Sequence, residues 1–140
     1  MEECIAKWES LGLNLLPPRT EVGVVAALQT TGLAFSRDVV QLYLLTGGMT
    51  SDEMDPHLFQ LWTLDRVTEE NARHQSPLLL FGDMSIDSYF FGFRYESAER
   101  SSVCVDYLNG DPPHVVSNGV GEFFDLIWTH PDAVALYGGY

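Results

Sequence analysis

The chain has 140 residues, of which 46% are hydrophobic, and its 20 acidic and 7 basic residues give a formal net charge of −13. This length and composition are typical of one folded domain over residues 1–140 and argue against a disordered chain. The charge disfavours binding to nucleic acid or to an anionic membrane, because the seven basic residues are scattered and form no cluster.

The acidic residues are unevenly distributed along the chain. Residues 1–50 hold five acids and three bases, a net charge of −2, whereas residues 51–140 hold fifteen acids and four bases, a net charge of −11. We therefore expect the acidic field to belong to the later part of the chain. A field of this sign favours a basic protein as partner.

The two cysteines and the N-terminal residues indicate the cellular compartment in which the protein is expected. Cys4 and Cys104 are too few for a disulfide framework, and the apolar run around Cys104 predicts a buried, reduced thiol. The first residues lack the basic and apolar regions of a secretory signal, and no apolar run reaches the ~18 residues of a membrane span. A cytoplasmic protein is the expectation.

The first part of the chain predicts three helices. Residues 2–11 form a short helix that carries Ile5, Trp8 and Leu11. Thr20 is the expected N-cap of a second helix that ends near Gly32, and Ser36 the expected N-cap of a third that ends at residues 47–48. The second and third helices are predicted to pack in the core, and a polar loop over 50–56 follows them.

The rest of the chain predicts strands and a closing helix. Residues 58–62 form a strand, and Asp65 caps a short helix over 66–74. A period of two predicts strands at 78–81, 89–95, 101–108 and 114–116, with a hairpin between the second and third of these. Val120, Phe123, Phe124 and Ile127 have helical spacing. The prediction is an α+β fold with two N-terminal core helices, an antiparallel sheet of about five strands and a C-terminal helix packed on the sheet.

Five segments in this order resemble the SUKH superfamily, which includes fungal regulators of cell-wall synthesis (the Smi/Knr type) and many bacterial immunity proteins. Residues 15–17 precede the second helix, residues 32–36 lead into the third, and residues 42–48 end the third helix in glycine. Residues 79–83 form the central strand, and residues 121–127 form the closing helix. The chain departs from the family pattern in the glycine-free turn 84–88 and at Thr46, where asparagine is frequent, which leaves the subfamily open.

The resemblance implies a binding domain without cofactor and not an enzyme. Bacterial members are typically immunity proteins that neutralise a toxin, often a nuclease, by stoichiometric binding. The alternative is a regulatory interaction domain of the Smi/Knr type that has no toxin partner. The family has no catalytic residue to carry over to this chain.

Motifs for catalysis and metal binding are missing from the sequence. The segment from Gly119 to Gly121 fails the dinucleotide fingerprint, since Phe124 replaces the third glycine. There is no phosphate-binding loop, no paired Cys motif, and no histidine spacing that predicts a metal site. Asp83 and Asp87 flank a turn. A role of these two residues in forming the turn is favoured over a role of their carboxylates in acid–base chemistry. The aromatic strand 89–95 indicates core packing more than base stacking, because a positive groove is missing.

The candidate partner-binding residues follow from the chemistry of the expected partner. A nuclease must hold a phosphate backbone, so its cleft is basic, and an acidic protein can block that cleft. The acidic loop 52–55 is interpreted either as a solvated loop or as part of a partner-facing patch. We expect the contacts from acids between positions 52 and 111: Asp52, Glu53, Asp55, Asp83, Asp87, Glu96 and Glu99.

Overall fold

Residues 1–84 and 89–135 are described by a computed structural model, and within them the chain forms six helices and five strands. None of these helices has the length and apolar character needed to cross a bilayer. In chain order the elements are α1 (Glu2–Ser10), α2 (Glu21–Gln29), α3 (Arg37–Leu45), β1 (Phe59–Leu61), α4 (Leu64–Arg73), β2 (Leu79–Met84), β3 (Tyr89–Tyr95), β4 (Ser101–Asp106), β5 (His114–Ser117), α5 (Val120–Thr129) and α6 (Pro131–Ala135).

The five strands form one antiparallel sheet in the order of the sequence, β1-β2-β3-β4-β5. Phe59, Met84 and Tyr89 lie side by side at one end of the sheet, which we call the Leu58 end. Tyr95 pairs with Ser101 at the opposite end, which we call the hairpin end. The predicted α+β fold with a five-stranded antiparallel sheet is confirmed.

One face of the sheet forms an aromatic core with α5. The Phe123 ring lies 5.5 Å from Phe59, 5.6 Å from Phe81 and 5.1 Å from Phe91. The apolar positions of α5, spaced at three and four residues, therefore meet the alternating positions of the strands. This arrangement confirms the prediction that the C-terminal helix packs on the sheet.

The opposite face of the sheet is polar in part and is covered by α4. The register places Gln60, Asp83, Phe90 and Asp106 in one row across four strands. Arg66 on α4 reaches Asp83, with Nη2 3.3 Å from Oδ2. Helices α4 and α5 thus lie on opposite sides of the sheet.

The helix starts confirm one predicted cap and correct another. The side chain of Thr20 accepts a hydrogen bond from the Gly23 amide, as predicted for the N-cap of α2. Asp65, the predicted cap of α4, lies inside that helix. Thr63 caps it instead, because its hydroxyl accepts from the Arg66 amide at 3.3 Å, and α4 begins two residues earlier than expected.

The two cysteines are both buried and unbridged. Cys104 is 1% exposed, which confirms that its side chain is buried as predicted. Leu11 differs from its prediction: it follows the end of α1 and is 55% exposed, because the chain turns away from the core at Gly12 with a φ of 79°.

A tight approach between β3 and the segment before β2 makes Gly92 a sensitive position. A Cβ at Gly92 would lie 2.5 Å from the Leu78 Cβ, whereas a Cβ at Gly121 in α5 would have no neighbour within 4 Å. We expect Gly92→Ala to lower the free energy of unfolding by about 1–3 kcal/mol through overpacking. Gly121→Ala should be neutral or stabilising, since alanine favours helix. Urea denaturation of both variants checks this, and equal effects would contradict it.

Candidate binding surface

The acids predicted to bind a partner do not form one patch. Asp52 and Glu53 lie in the loop before β1, at the Leu58 end, whereas Glu96 and Glu99 lie in the β3–β4 turn at the hairpin end. The six residue steps of β3 separate the two ends by about 20 Å, at about 3.3 Å per residue. Asp87 lies outside the described residues.

Asp55 and Asp83 are buried, and this corrects the expectation that they face a partner. Each is only 2% exposed. The Asp55 carboxylate accepts hydrogen bonds from Trp8 Nε1 at 3.1 Å and from backbone amides of the turn that follows it. The Asp83 carboxylate accepts one from Trp62 Nε1 at 2.6 Å. Both carboxylates therefore bind the protein's own interior donors, and neither is available for direct contact with a partner.

The hairpin end is close to electrically balanced. Glu96 accepts a hydrogen bond from the Ser102 hydroxyl at 2.8 Å, and its carboxylate lies 2.8 Å from the Arg94 guanidinium. These two contacts hold the pKa of Glu96 below its usual value. Glu21, at the start of α2, pairs with Arg37 at 2.8 Å. Because these acidic side chains form ion pairs with neighbouring arginines, the hairpin end attracts a basic partner only weakly.

A second group of acids, which we call the acidic face, lies on helices α1, α5 and α6. It has six exposed carboxylates, and within the described residues none of them has an ion-pair partner. The one lysine or arginine on the same elements is Lys7. The acids are Glu2, Glu3 and Glu9 of α1, Glu122 and Asp125 of α5, and Asp132 of α6.

Contacts between α1 and α5 bring these acids together. The Trp128 indole on α5 donates a hydrogen bond to Cys4 Sγ of α1 at 3.1 Å, and the Trp8 ring lies 6.0 Å from Phe124. His57 packs edge to face against Trp128 at 4.9 Å, so the end of the loop before β1 lies against the same helix pair. The earlier part of that loop, residues 50–53, instead surrounds the Gln60 amide on the α4 side of the sheet. Acids more than a hundred residues apart in sequence therefore share one side of the molecule.

An exposed leucine stands beside the acidic loop in a strained conformation. Leu58 has a φ of 69° and is 43% exposed. Its amide donates to the Asp55 carbonyl at 2.9 Å, and the next amide, that of Phe59, donates to Asp55 Oδ1 at 3.0 Å. The left-handed region costs a leucine about 1–2 kcal/mol, which the Asp55 turn offsets. The result is an exposed apolar side chain on the loop that also carries Asp52 and Glu53, an arrangement suited to a protein interface.

A groove of about 270 Å³ runs between α1 and α5. Glu3 and Lys7 line it from α1, Asp125 lines it from α5, and Cys4 and Trp128 also contribute to its wall. Burial raises the pKa of the Cys4 thiol to about 12, so this thiol stays protonated at neutral pH and is a poor nucleophile. The groove combines an aromatic ring with two carboxylates, which is the chemistry of a site for organic cations.

A larger cleft, of about 380 Å³, lies between the segment after α4 and the β4–β5 connection. Two of its titratable groups are engaged inside the protein: His74 Nε2 lies 3.3 Å from a Glu70 oxygen, and Asp106 accepts from the Ser76 hydroxyl and the Leu108 amide at 2.7 and 2.8 Å. In the described part of the chain, no group of three His, Cys, Asp or Glu side chains is placed to hold a metal ion.

Sequence reasoning missed α1 as part of the surface. The spacing of α5 alone places Glu122 and Asp125 away from its buried positions, and this signal was available in the sequence. Nothing local indicates that α1 packs beside α5, because that pairing depends on contacts of Trp8 and Trp128 across the core.

Comparisons of this chain with protein-family models, with curated proteins and with solved structures found no match.

Proposed function

We propose that this chain is a non-catalytic binding protein, a cytoplasmic bacterial immunity protein that neutralises a basic, nuclease-type toxin by stoichiometric binding. The observation that carries the proposal is the acidic face, where six acids and one lysine give a formal charge of −5 and no acid has an ion-pair partner among the described residues. The resemblance of the five sequence segments to the SUKH superfamily supports the choice of an immunity role.

The opposite charges of the protein and its toxin account for the proposed mechanism of neutralisation. A nuclease cleft must carry positive charge to hold phosphates, and the acidic face presents the complementary sign over the outer sides of α1 and α5. Complementary fields speed the encounter of two proteins and make the association rate fall with added salt. Occupation of the cleft then excludes the nucleic acid sterically and electrostatically, and no bond is made or broken.

The loop 50–58 supplies the part of the interface that charge does not. Leu58 is apolar and exposed, and its backbone is held by Asp55, so little conformational entropy is lost when a partner covers it. Apolar anchors at the centre of a polar rim carry much of the energy of protein interfaces. The proposed interface therefore has Leu58 and the groove as anchors and the acids as its rim.

Affinity capture from lysate of the native host, at low and then physiological salt, tests this function. The expected result is a small basic protein that binds in a one-to-one complex, elutes as salt is raised, and is toxic when expressed alone. Recovery of no basic protein even at low salt would sink the proposal. A basic partner that is harmless when expressed alone would instead favour the regulatory, Smi/Knr-type alternative.

A further inference from the structure

We propose that the groove between α1 and α5 receives an arginine side chain of the basic partner, which stacks on Trp128 between the carboxylates of Glu3 and Asp125. This inference rests on the proposed function, because it names the chemical group that the acidic face recognises. It adds a defined pocket to a surface that is otherwise described only by its charge.

The composition of the groove matches a guanidinium group. Trp128 offers a ring face, and the two carboxylates come from different helices, Glu3 from α1 and Asp125 from α5. Arginine is planar, stacks on aromatic rings and donates several hydrogen bonds to carboxylates. The volume of about 270 Å³ lies just below the ~300–1,000 Å³ of small-molecule sites, which suits a single side chain.

The protein itself shows that this ring holds a cation. Lys7, the sole lysine of the chain, places its Nζ 4.9 Å from the centroid of the Trp128 ring. Within the described residues, Lys7 makes no ion pair, although it lines the same groove as Glu3 and Asp125. The intramolecular ammonium thus occupies the ring face until a partner's guanidinium, which uses both the ring and the carboxylates, displaces it.

The orientation of Trp128 is fixed before a ligand arrives. Its indole nitrogen donates to Cys4 Sγ at 3.1 Å, and the His57 ring packs against it at 4.9 Å. Because these contacts hold the ring in place, little conformational entropy of the Trp128 side chain is lost when a partner stacks on it. The groove therefore has the preorganisation expected of a recognition pocket.

NMR titration of the isotope-labelled protein with N-acetyl-arginine amide tests the pocket directly. The indole N–H signal of Trp128, assigned by its loss in Trp128→Phe, should shift saturably. N-acetyl-citrulline amide, which has the same shape without the charge, should leave the signal unmoved. Glu3→Gln and Asp125→Asn should each weaken arginine binding by about threefold or more, since each removes a charge-assisted contact. Glu99→Gln removes the same charge at the hairpin end and should change nothing.

Several outcomes overturn the inference. These are an unmoved Trp128 signal, an equal shift with the citrulline compound, or an equal weakening in Glu99→Gln. The proposed function fails separately. If the arginine compound binds in the groove but no basic protein is captured from the host, the pocket stands and the immunity role does not. If a basic partner binds Glu3→Gln, Asp125→Asn and Trp128→Phe as tightly as the original protein, the function stands and the pocket is wrong.

Discussion

Replacement of Asp55 by alanine is expected to lower the free energy of unfolding by about 3–5 kcal/mol. The change strands three donors that the carboxylate now satisfies, namely Trp8 Nε1 and the amides of His57 and Phe59, and each stranded buried donor costs about 1–3 kcal/mol. Such a loss is a large share of the ~5–15 kcal/mol that stabilises a typical domain. Urea denaturation followed by tryptophan fluorescence measures it.

Two further variants separate the role of Asp55 from a general effect of the loop. Asp52→Ala removes an exposed carboxylate three residues away, with one exposed hydrogen bond from the Thr50 hydroxyl, and should lower the free energy of unfolding by less than about 1 kcal/mol. Asp55→Asn keeps one oxygen for the two backbone amides but loses the acceptor of Trp8, so we expect a loss smaller than that of Asp55→Ala. A loss below about 1 kcal/mol for Asp55→Ala would contradict the structural role assigned to this residue.

The pH dependence of the asparagine variant has a definite sign. Burial raises the pKa of Asp55 above its usual value, against the opposing effect of hydrogen bonds from Phe59, Trp8 and His57. A carboxyl whose pKa is raised on folding opposes folding when it is ionised, and this penalty disappears as pH falls through the raised value. The stability lost in Asp55→Asn should therefore be larger near about pH 4 than at pH 7. A smaller loss at the lower pH would contradict the assigned shift.

Removal of three charges from the acidic face is expected to weaken partner binding by about 10–100-fold at low salt. The variant Glu3→Gln, Glu122→Gln, Asp125→Asn removes exposed carboxylates without ion-pair partners in the described part of the chain, so its fold should be unaffected. Slower association is expected because exposed charges steer the encounter, and faster dissociation is expected because Glu3 and Asp125 contact the arginine of the bound partner in the proposed pocket. Surface-based binding kinetics with the captured basic partner measure both rates across a salt series.

A matched variant controls for the loss of net charge. Asp65→Asn, Glu69→Gln, Glu99→Gln also removes three exposed carboxylates, but from α4 and the hairpin end. At the ordinary-salt point of the series, about 0.1 M, we expect this variant to bind the partner within about threefold of the original protein, since screening there confines charge effects to within about 10 Å. Equal weakening by the two triple variants would show that net charge acts alone and that the acidic face is not the interface.

The fold was largely predictable because its elements have strong local signals. The alternation in β3 and the spacing of Val120, Phe123, Phe124 and Ile127 each depend on one element alone, and both predictions are confirmed. The start of α4 was misplaced because both Thr63 and Asp65 are good caps, and only the backbone decides which one faces a free amide.

The candidate site was less predictable because burial and charge pairing are tertiary properties. The sequence predicts that Asp55 and Asp83 lie on the surface. In the structure both carboxylates are buried and accept hydrogen bonds from tryptophans that lie 47 and 21 residues away in sequence, respectively. Glu96 reads as a free charge, and Arg94 two residues before it removes most of its field. The acids of α1 join the site only because Trp8 and Trp128 pack α1 against α5 across the core.

Cell protection by the acidic face is the most direct test of the proposed function. The captured basic partner is expressed in a sensitive bacterium alone, with the original protein, and with either triple variant at matched levels. The account predicts that the original protein and the Asp65, Glu69, Glu99 variant restore growth, whereas the Glu3, Glu122, Asp125 variant protects poorly. Growth that is unaffected by the partner alone, or equal protection by both triple variants, would contradict it.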